Sequence, residues 1–310
     1  MSENVRYPRV SRFKSAEAFR SHLASIGVQM GCDDEVMKAP ESPLAEDYTL
    51  GAFTVGNRFC IQPMEGWDGT EDGQPTDLTR RRWRNFGLSG AKLIWGGEAF
   101  AVVPEGRANP NQLMACLGSQ QAMDELRQIL LDAHGEVMDS TDDVLLGLQL
   151  THSGRFCRPF SKDRMEPAIL YRHPILDAKF GLEDDYPLME DSYIDDLIGH
   201  YVRGAKLAWE AGYQFVDVKH CHGYLGHEFL SAYQRPGPYG GSFDNRTRFA
   251  RQIIEGIRIE APGLQVGVRL SVFDFVPFRP DPEGGDERRM GSGIPEDFAA
   301  ALPYEYGFGL

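Results

Sequence analysis

Residues 12–27 carry apolar side chains at Phe13, Ala16, Phe19, Leu23 and Ile26, a spacing that predicts a helix with Ser15 as its cap. The Pro- and acid-rich stretch 33–47 reads as a loop, and two short runs around Gly51 and Gly56 read as a hairpin approaching the bottom of a barrel. From Arg58 on, short apolar runs alternate with amphipathic segments. Strands are predicted at 58–63, 91–95, 144–150, 215–219 and 264–270, and the unbroken apolar run 144–150 suits burial on both faces. Helices are predicted at 77–86, at 119–134 with Ala122, Leu126, Ile129 and Leu130 on one face, from a Ser192 cap to a stop at Gly212, and at 244–260. The stretch 153–191 reads as a long polar loop. This βα alternation implies a parallel sheet, and right-handed crossovers leave a barrel or a doubly wound sheet as candidates. After Leu270 the pattern fails: residues 273–310 are rich in Pro, Gly and charge and read as loop. Five parallel strands do not close an eight-stranded barrel, so the expectation is an open sheet or a chain truncated after the fifth barrel strand.

The formal net charge of −14 argues against a nucleic-acid or anionic-membrane partner, either of which wants a basic face. Five cysteines, at 32, 60, 116, 157 and 221, show no C-x-x-C pair and no zinc or iron–sulfur spacing. A reduced, cytoplasmic setting is the simpler expectation, and no apolar run is long enough for a membrane span. A homo-oligomer is left open.

Chemistry-bearing residues gather where the predicted strands end, the rim that a (β/α) barrel uses. The first strand delivers Pro63, Met64 and Glu65; the second Glu98 and Ala99; the third Gln149, His152 and Arg155; the fourth Lys219, His222 and Tyr224; the fifth Arg269. One such residue alone is more often structural. Together the set suits a planar, electron-accepting ring. An amide such as Gln149 can both donate to and accept from a ring edge carrying N–H beside C=O. A fixed cation such as Arg269 stabilises negative charge that appears on reduction. Lys219 and His222 can grip one substrate oxygen, and Tyr224 offers a phenolic proton. His220, one residue after Lys219, would point to the opposite side of the strand.

Seven segments carry a family resemblance: N-R-F-C-I-Q-P-M (57–64), D-G-Q-P-T-D (72–77), V-P-E-G-R (103–107), Q-L-T-H-S-G-R (149–155), H-G-Y-L-G-H-E-F-L-S (222–231), Y-G-G-S-F-D-N-R-T-R-F (239–249) and V-G-V-R-L-S (266–271). In that order and spacing the chain resembles the old yellow enzyme family of NADH:flavin oxidoreductases, over roughly residues 50–272. The resemblance implies an α/β fold, a (β/α)8 TIM barrel of which only about the first five units are present, binding FMN over its C-terminal mouth and taking NAD(P)H as reductant. The implied domains are an N-terminal helix and loop extension over 1–49 and a partial FMN-binding barrel over 50–310. Gln149 would bond the flavin pyrimidine edge and Arg269 the N1/O2 side, while Pro63, Met64, Glu65 and Ala99 would line the ring. Lys219 and His222 fall on the pair of substrate-oxygen donors and Tyr224 on the proton donor. The implied substrate is an activated alkene or enone.

Three departures change what the resemblance implies. The first oxygen donor is Lys219 where the family usually has His, and Glu65 follows Pro-Met where it usually has Thr, Cys or Ala. A carboxylate beside a ring that gains electrons disfavours reduction unless neutralised. A salt bridge from Glu65 to Lys219 or Arg269, within roughly 6 Å, would reconcile both. Third, the family's last three strands and main phosphate-binding loops would lie beyond residue 310. Two alternatives stand beside the ene-reductase reading: an amine or demethylase-type dehydrogenase on the same scaffold, and an inactive truncated fragment.

Overall fold

The computed structural model describes residues 8–281 and 293–304. The chain divides into two compact units, Met1–Arg58 and Phe59–Leu310. In the first, helix α1 (Ala16–Ser25) begins at Ser15, whose hydroxyl accepts the Ala18 N–H at 3.1 Å. Strands β1 (Tyr48–Leu50) and β2 (Phe53–Val55) form the antiparallel hairpin expected around Gly51.

The second unit is built on strands β3 (Cys60–Ile61), β4 (Leu93–Ala101), β5 (Leu145–Thr151), β6 (Phe215–Val218) and β7 (Gln265–Gly267), all parallel and in sequential order. Between them run α2 (Asp77–Leu88), α3 (Gln120–Gly135), α4 (Pro174–Phe180), α5 (Asp191–Glu210), α6 (Leu225–Leu230) and α7 (Phe243–Glu260). Right-handed crossovers between sequential neighbours put the connecting helices on one face of the sheet. That rules out the doubly wound arrangement, in which strand order reverses at a switch point. The fold is α/β, the first five strands of a TIM barrel with the helices that connect them.

The two faces of the sheet follow from the two-residue period of a strand. Leu146, Leu148 and Leu150 of β5 and Val216 and Val218 of β6 are buried in one core with Trp83 of α2, Leu126 and Leu130 of α3, Tyr201 of α5 and Phe249, Ile253 and Ile257 of α7. The alternate residues point the other way. Gly147 leaves room for the Phe215 ring, since a Cβ there would come within 2.2 Å of it, and Phe215 in turn packs on Trp95 at 5.1 Å between centroids. Above that layer come Gln149 and Asp217, paired in register across β5 and β6. Strand β4 breaks register between Gly96 and Ala99, with Gly96 and Gly97 at φ 117° and 47°. This bulge re-aims Glu98 and Ala99 at the strand end.

Several expectations need correction. The stretch 153–191 is not all loop, because α4 starts at Pro174 and ends at the left-handed Gly181. Ser192 is not the cap of α5: the helix begins at Asp191 behind an extended Glu190. Helix α6 went unpredicted, as did the small antiparallel pair β8 (Phe278–Pro280) and β9 (Gly293–Pro295) and the short helix α8 (Phe298–Ala301) within 273–310. The remainder of that loop expectation, at 282–292 and 305–310, lies outside the described residues.

Candidate active site

The polar residues at the strand ends form three connected layers. Deepest is an amide–carboxylate pair. Gln149 and Asp217 are 1% and 0% exposed, and Gln149 Nε2 donates to Asp217 Oδ2. Asp217 Oδ1 accepts the backbone N–H of Arg269 at 2.6 Å. Burial pushes the Asp217 carboxyl up, opposed by these two hydrogen bonds. The carboxylate therefore fixes which way the Gln149 amide faces and ties it to the backbone that presents Arg269. The sequence reading passed over Asp217. Its signal was there: it precedes Lys219 by two residues and so shares its face of β6.

The second layer is a triad. Glu65 Oε1 lies 2.6 Å from Lys219 Nζ, and Glu65 Oε2 accepts the Tyr224 hydroxyl at 3.0 Å. The Lys219 ammonium also sits 3.7 Å from the centre of the Tyr224 ring, a cation–π contact. The Lys219 and Glu65 side chains are 6% and 10% exposed, so solvent screens their attraction little. Burial, followed by the Glu65 charge, raises the pKa of the Tyr224 phenol. Behind Tyr224 stands an aromatic wall, Phe156 at 5.6 Å and then Phe180 at 5.3 Å from Phe156.

Exposed groups at the mouth make the third layer. His222 is exposed at φ 62°, with its N–H 3.4 Å from Ser271 Oγ. Burial, then the neighbouring Lys219 and Arg269 charges, lowers its pKa, so the imidazole is neutral near pH 7. Met64 and Leu270 are each 49% exposed, and Phe273 and Phe275 stand exposed just past the end of the fifth barrel strand. Pro63 and Ala99 are buried beside them, and Met64 bridges to Glu98.

Glu98, 1% exposed, anchors the loop that carries Glu65. Its Oε1 accepts the Gly66 N–H at 3.0 Å, and its other oxygen pairs with Arg82. Arg82 also grips Asp68 in a two-pronged bond at 2.9 and 3.0 Å. Burial pushes the Glu98 carboxyl up to about 7 against the pull of Arg82.

Three other rim residues turn inward instead. Arg155 is buried between Asp177, Glu228 and the Tyr171 carbonyl. His152 accepts the Gly154 N–H, and burial lowers its pKa to about 3. His220 lies on the helix side, its ring 6.1 Å from Phe249, and burial lowers its pKa to about 4. These hold the fold, and they correct the expectation that His152 and Arg155 line the rim.

A family model described as NADH:flavin oxidoreductase / NADH oxidase matches residues 43–281. An NADPH dehydrogenase of Geobacillus sp. (strain WCH70) is 31% identical over 245 residues, covering 76% of this chain and 65% of that protein. Putative 12-oxophytodienoate reductase 4 of Oryza sativa subsp. japonica is 27% identical, covering 78% and 62%. The structure of the old yellow enzyme homologue from Zymomonas mobilis superposes with a TM-score of 0.59 at 26% identity, covering 74% of this chain and 63% of that one. Old yellow enzyme from Pichia sp. AKU4542, at a TM-score of 0.58 and 21% identity, shares the fold. The chain thus spans about two thirds of the length of the curated relatives it matches. Among the described residues no helix is long and apolar enough to cross a membrane. The chain belongs to the NADH:flavin oxidoreductase / NADH oxidase family.

Proposed function

We propose that this protein is an FMN-dependent oxidoreductase that reduces an electron-poor alkene at the expense of NAD(P)H. The observation that carries the reading is the stacking of the Gln149–Asp217–Arg269 layer beneath the Lys219–Glu65–Tyr224 layer. The donor set fits a flavin. With one Nε2 hydrogen committed to Asp217, Gln149 has a second hydrogen and a carbonyl for a ring edge of alternating N–H and C=O. Arg269 supplies a permanent cation for the side on which negative charge accumulates, and exposed Met64 and Leu270 supply apolar cover. Bound FMN would provide a reversible two-electron couple between the nicotinamide and the alkene.

The chain's own residues do the rest. A substrate carbonyl oxygen is held by Lys219, which keeps N–H hydrogens beyond the one pointed at Glu65, and by His222 at the mouth. Those donors draw electron density from the conjugated carbon–carbon bond and favour hydride arrival at the β-carbon. The Tyr224 O–H bond then breaks and a C–H bond forms at the α-carbon. The phenolate left behind lies against the Lys219 ammonium until solvent returns the proton.

The test is direct. The 310-residue chain, mixed with FMN and NADPH under nitrogen, should oxidise NADPH beyond one equivalent of flavin only when an enone such as 2-cyclohexenone is added, yielding the saturated ketone. Oxidation of a secondary amine with no enone turnover would instead establish the amine-dehydrogenase alternative.

A further inference from the structure

Glu65 is the residue of the site that the alkene chemistry does not need. Its two oxygens take up the two donors that a substrate anion would seek, the Lys219 ammonium at 2.6 Å and the Tyr224 hydroxyl at 3.0 Å. A carboxylate bound through Lys219 or Tyr224 competes with Glu65 for that donor. The position of Glu65 is also built rather than incidental. The Gly66 N–H is held by buried Glu98, which is held by Arg82, which is held by Asp68. A Cβ on Gly66 would fall 2.1 Å from the Arg82 guanidinium, so the loop is packed against its anchor.

We infer that Glu65 is a specificity-determining residue, an internal anion that reserves the strand-end clamp for neutral carbonyl substrates and turns away carboxylates and phenolates. This rests on the reading of Lys219 and Tyr224 as the clamp and the acid. The ion pair makes that corner of the site electrically neutral. A neutral carbonyl oxygen shares the remaining Lys219 hydrogens without displacing Glu65. An anion must either break a nearly dry ion pair or sit against a second negative charge, and both are costly in a screened-off corner. Selection against the wrong ligand by like charge is a general device of binding sites.

The probe is p-nitrophenolate, followed by its absorbance change on the FMN-loaded chain, with 4-nitroanisole as the neutral analogue. Glu65→Gln should tighten p-nitrophenolate binding at least tenfold and leave 4-nitroanisole within about twofold. The double variant Glu65→Gln with Lys219→Met should lose the gain, because the liberated cation is what binds the anion. Glu65→Asp, which keeps the charge on a shorter arm, should gain little, and it serves if Glu65→Gln does not fold. The inference is overturned if Glu65→Gln binds phenolate no tighter than wild type, or if the gain survives removal of Lys219. Phenolate binding needs no turnover. An enzyme that reduces no enone yet shows the Glu65→Gln gain would sink the proposed reaction and leave this selectivity standing.

Discussion

Two buried ion networks lie within one strand–helix unit of each other and are built differently. Around Arg155, every partner is supplied by the protein: Asp177, Glu228 and the Tyr171 carbonyl, with side chains 2%, 7% and 4% exposed for the arginine and its two carboxylates. Arg172 closes the second Asp177 oxygen at 2.7 Å. At the strand ends, Glu65, Lys219 and Tyr224 form a looser set in which a lysine with spare hydrogens and a phenol face an open mouth lined by His222, Met64 and Leu270. A planar guanidinium held by three fixed acceptors is suited to locking elements together. A point-charge ammonium with rotatable hydrogens is suited to sharing them with a visitor. Burial of charge does not by itself separate the two networks; unspent donor capacity at an opening does.

The sharpest way to break that comparison is to remove each cation. Arg155→Met leaves buried Glu228 with no cation and Asp177 with Arg172 alone, and should cost about 3–5 kcal/mol in urea unfolding. Lys219→Met leaves Glu65 with the Tyr224 hydroxyl and partial access to water, and should cost about 1–3 kcal/mol. Equal costs would erase the distinction.

Acid acts next, through the neutral imidazoles. Burial lowers the pKa of His152 to about 3 and of His220 to about 4. Both folded-state values lie below the unfolded value, so the unfolded chain binds more protons on acidification. The stability they contribute is intact above about pH 6.5 and is lost as pH falls toward 4. The two imidazoles together contribute a slope of about 2.7 kcal/mol per pH unit. Glu98 opposes it, because its raised pKa makes the folded chain bind the extra proton. His220→Leu should lower the net slope by about 1.4 kcal/mol per pH unit. A slope unchanged in that variant would show that His220 is not titrating on unfolding.

Smallest is the support of the amide. Asp217→Asn keeps the shape but puts an NH2 where one accepting oxygen stood, so only one of Gln149 Nε2 and the Arg269 N–H keeps its acceptor. It should loosen FMN by about 1 kcal/mol, or roughly fivefold, in a fluorescence titration. No change would mean the Gln149 orientation is set elsewhere.

The strands and the major helices were legible because each shows two chemically distinct faces. Period two placed Lys219 at the mouth and His220 among the helix-side side chains, as the structure has them. Helix α6 was missed because all six of its residues are buried, so it has no polar face to give a period. Strand β8 was missed because it ends at Pro280 and its residues are all exposed, a pattern that reads as loop. At the site, the Glu65–Lys219 pair could be anticipated because two unusual residues of opposite charge flanked one cofactor position. The anchors of that pair could not. Glu98, Arg82 and Asp68 meet through the β4 bulge, which only the folded register reveals. Arg155 and His152 misled for the same reason: a strand-end position does not state whether a side chain turns out or in.

If Tyr224 is the acid, the chemistry divides into two halves of which only one needs its proton. Tyr224→Phe should be examined by stopped flow in each half-reaction on the FMN-loaded chain. Flavin reduction by NADPH should proceed at the wild-type rate within about twofold, while flavin reoxidation by 2-cyclohexenone should slow by about 10²- to 10⁴-fold. An equal slowing of both halves, or of neither, would contradict that role for Tyr224.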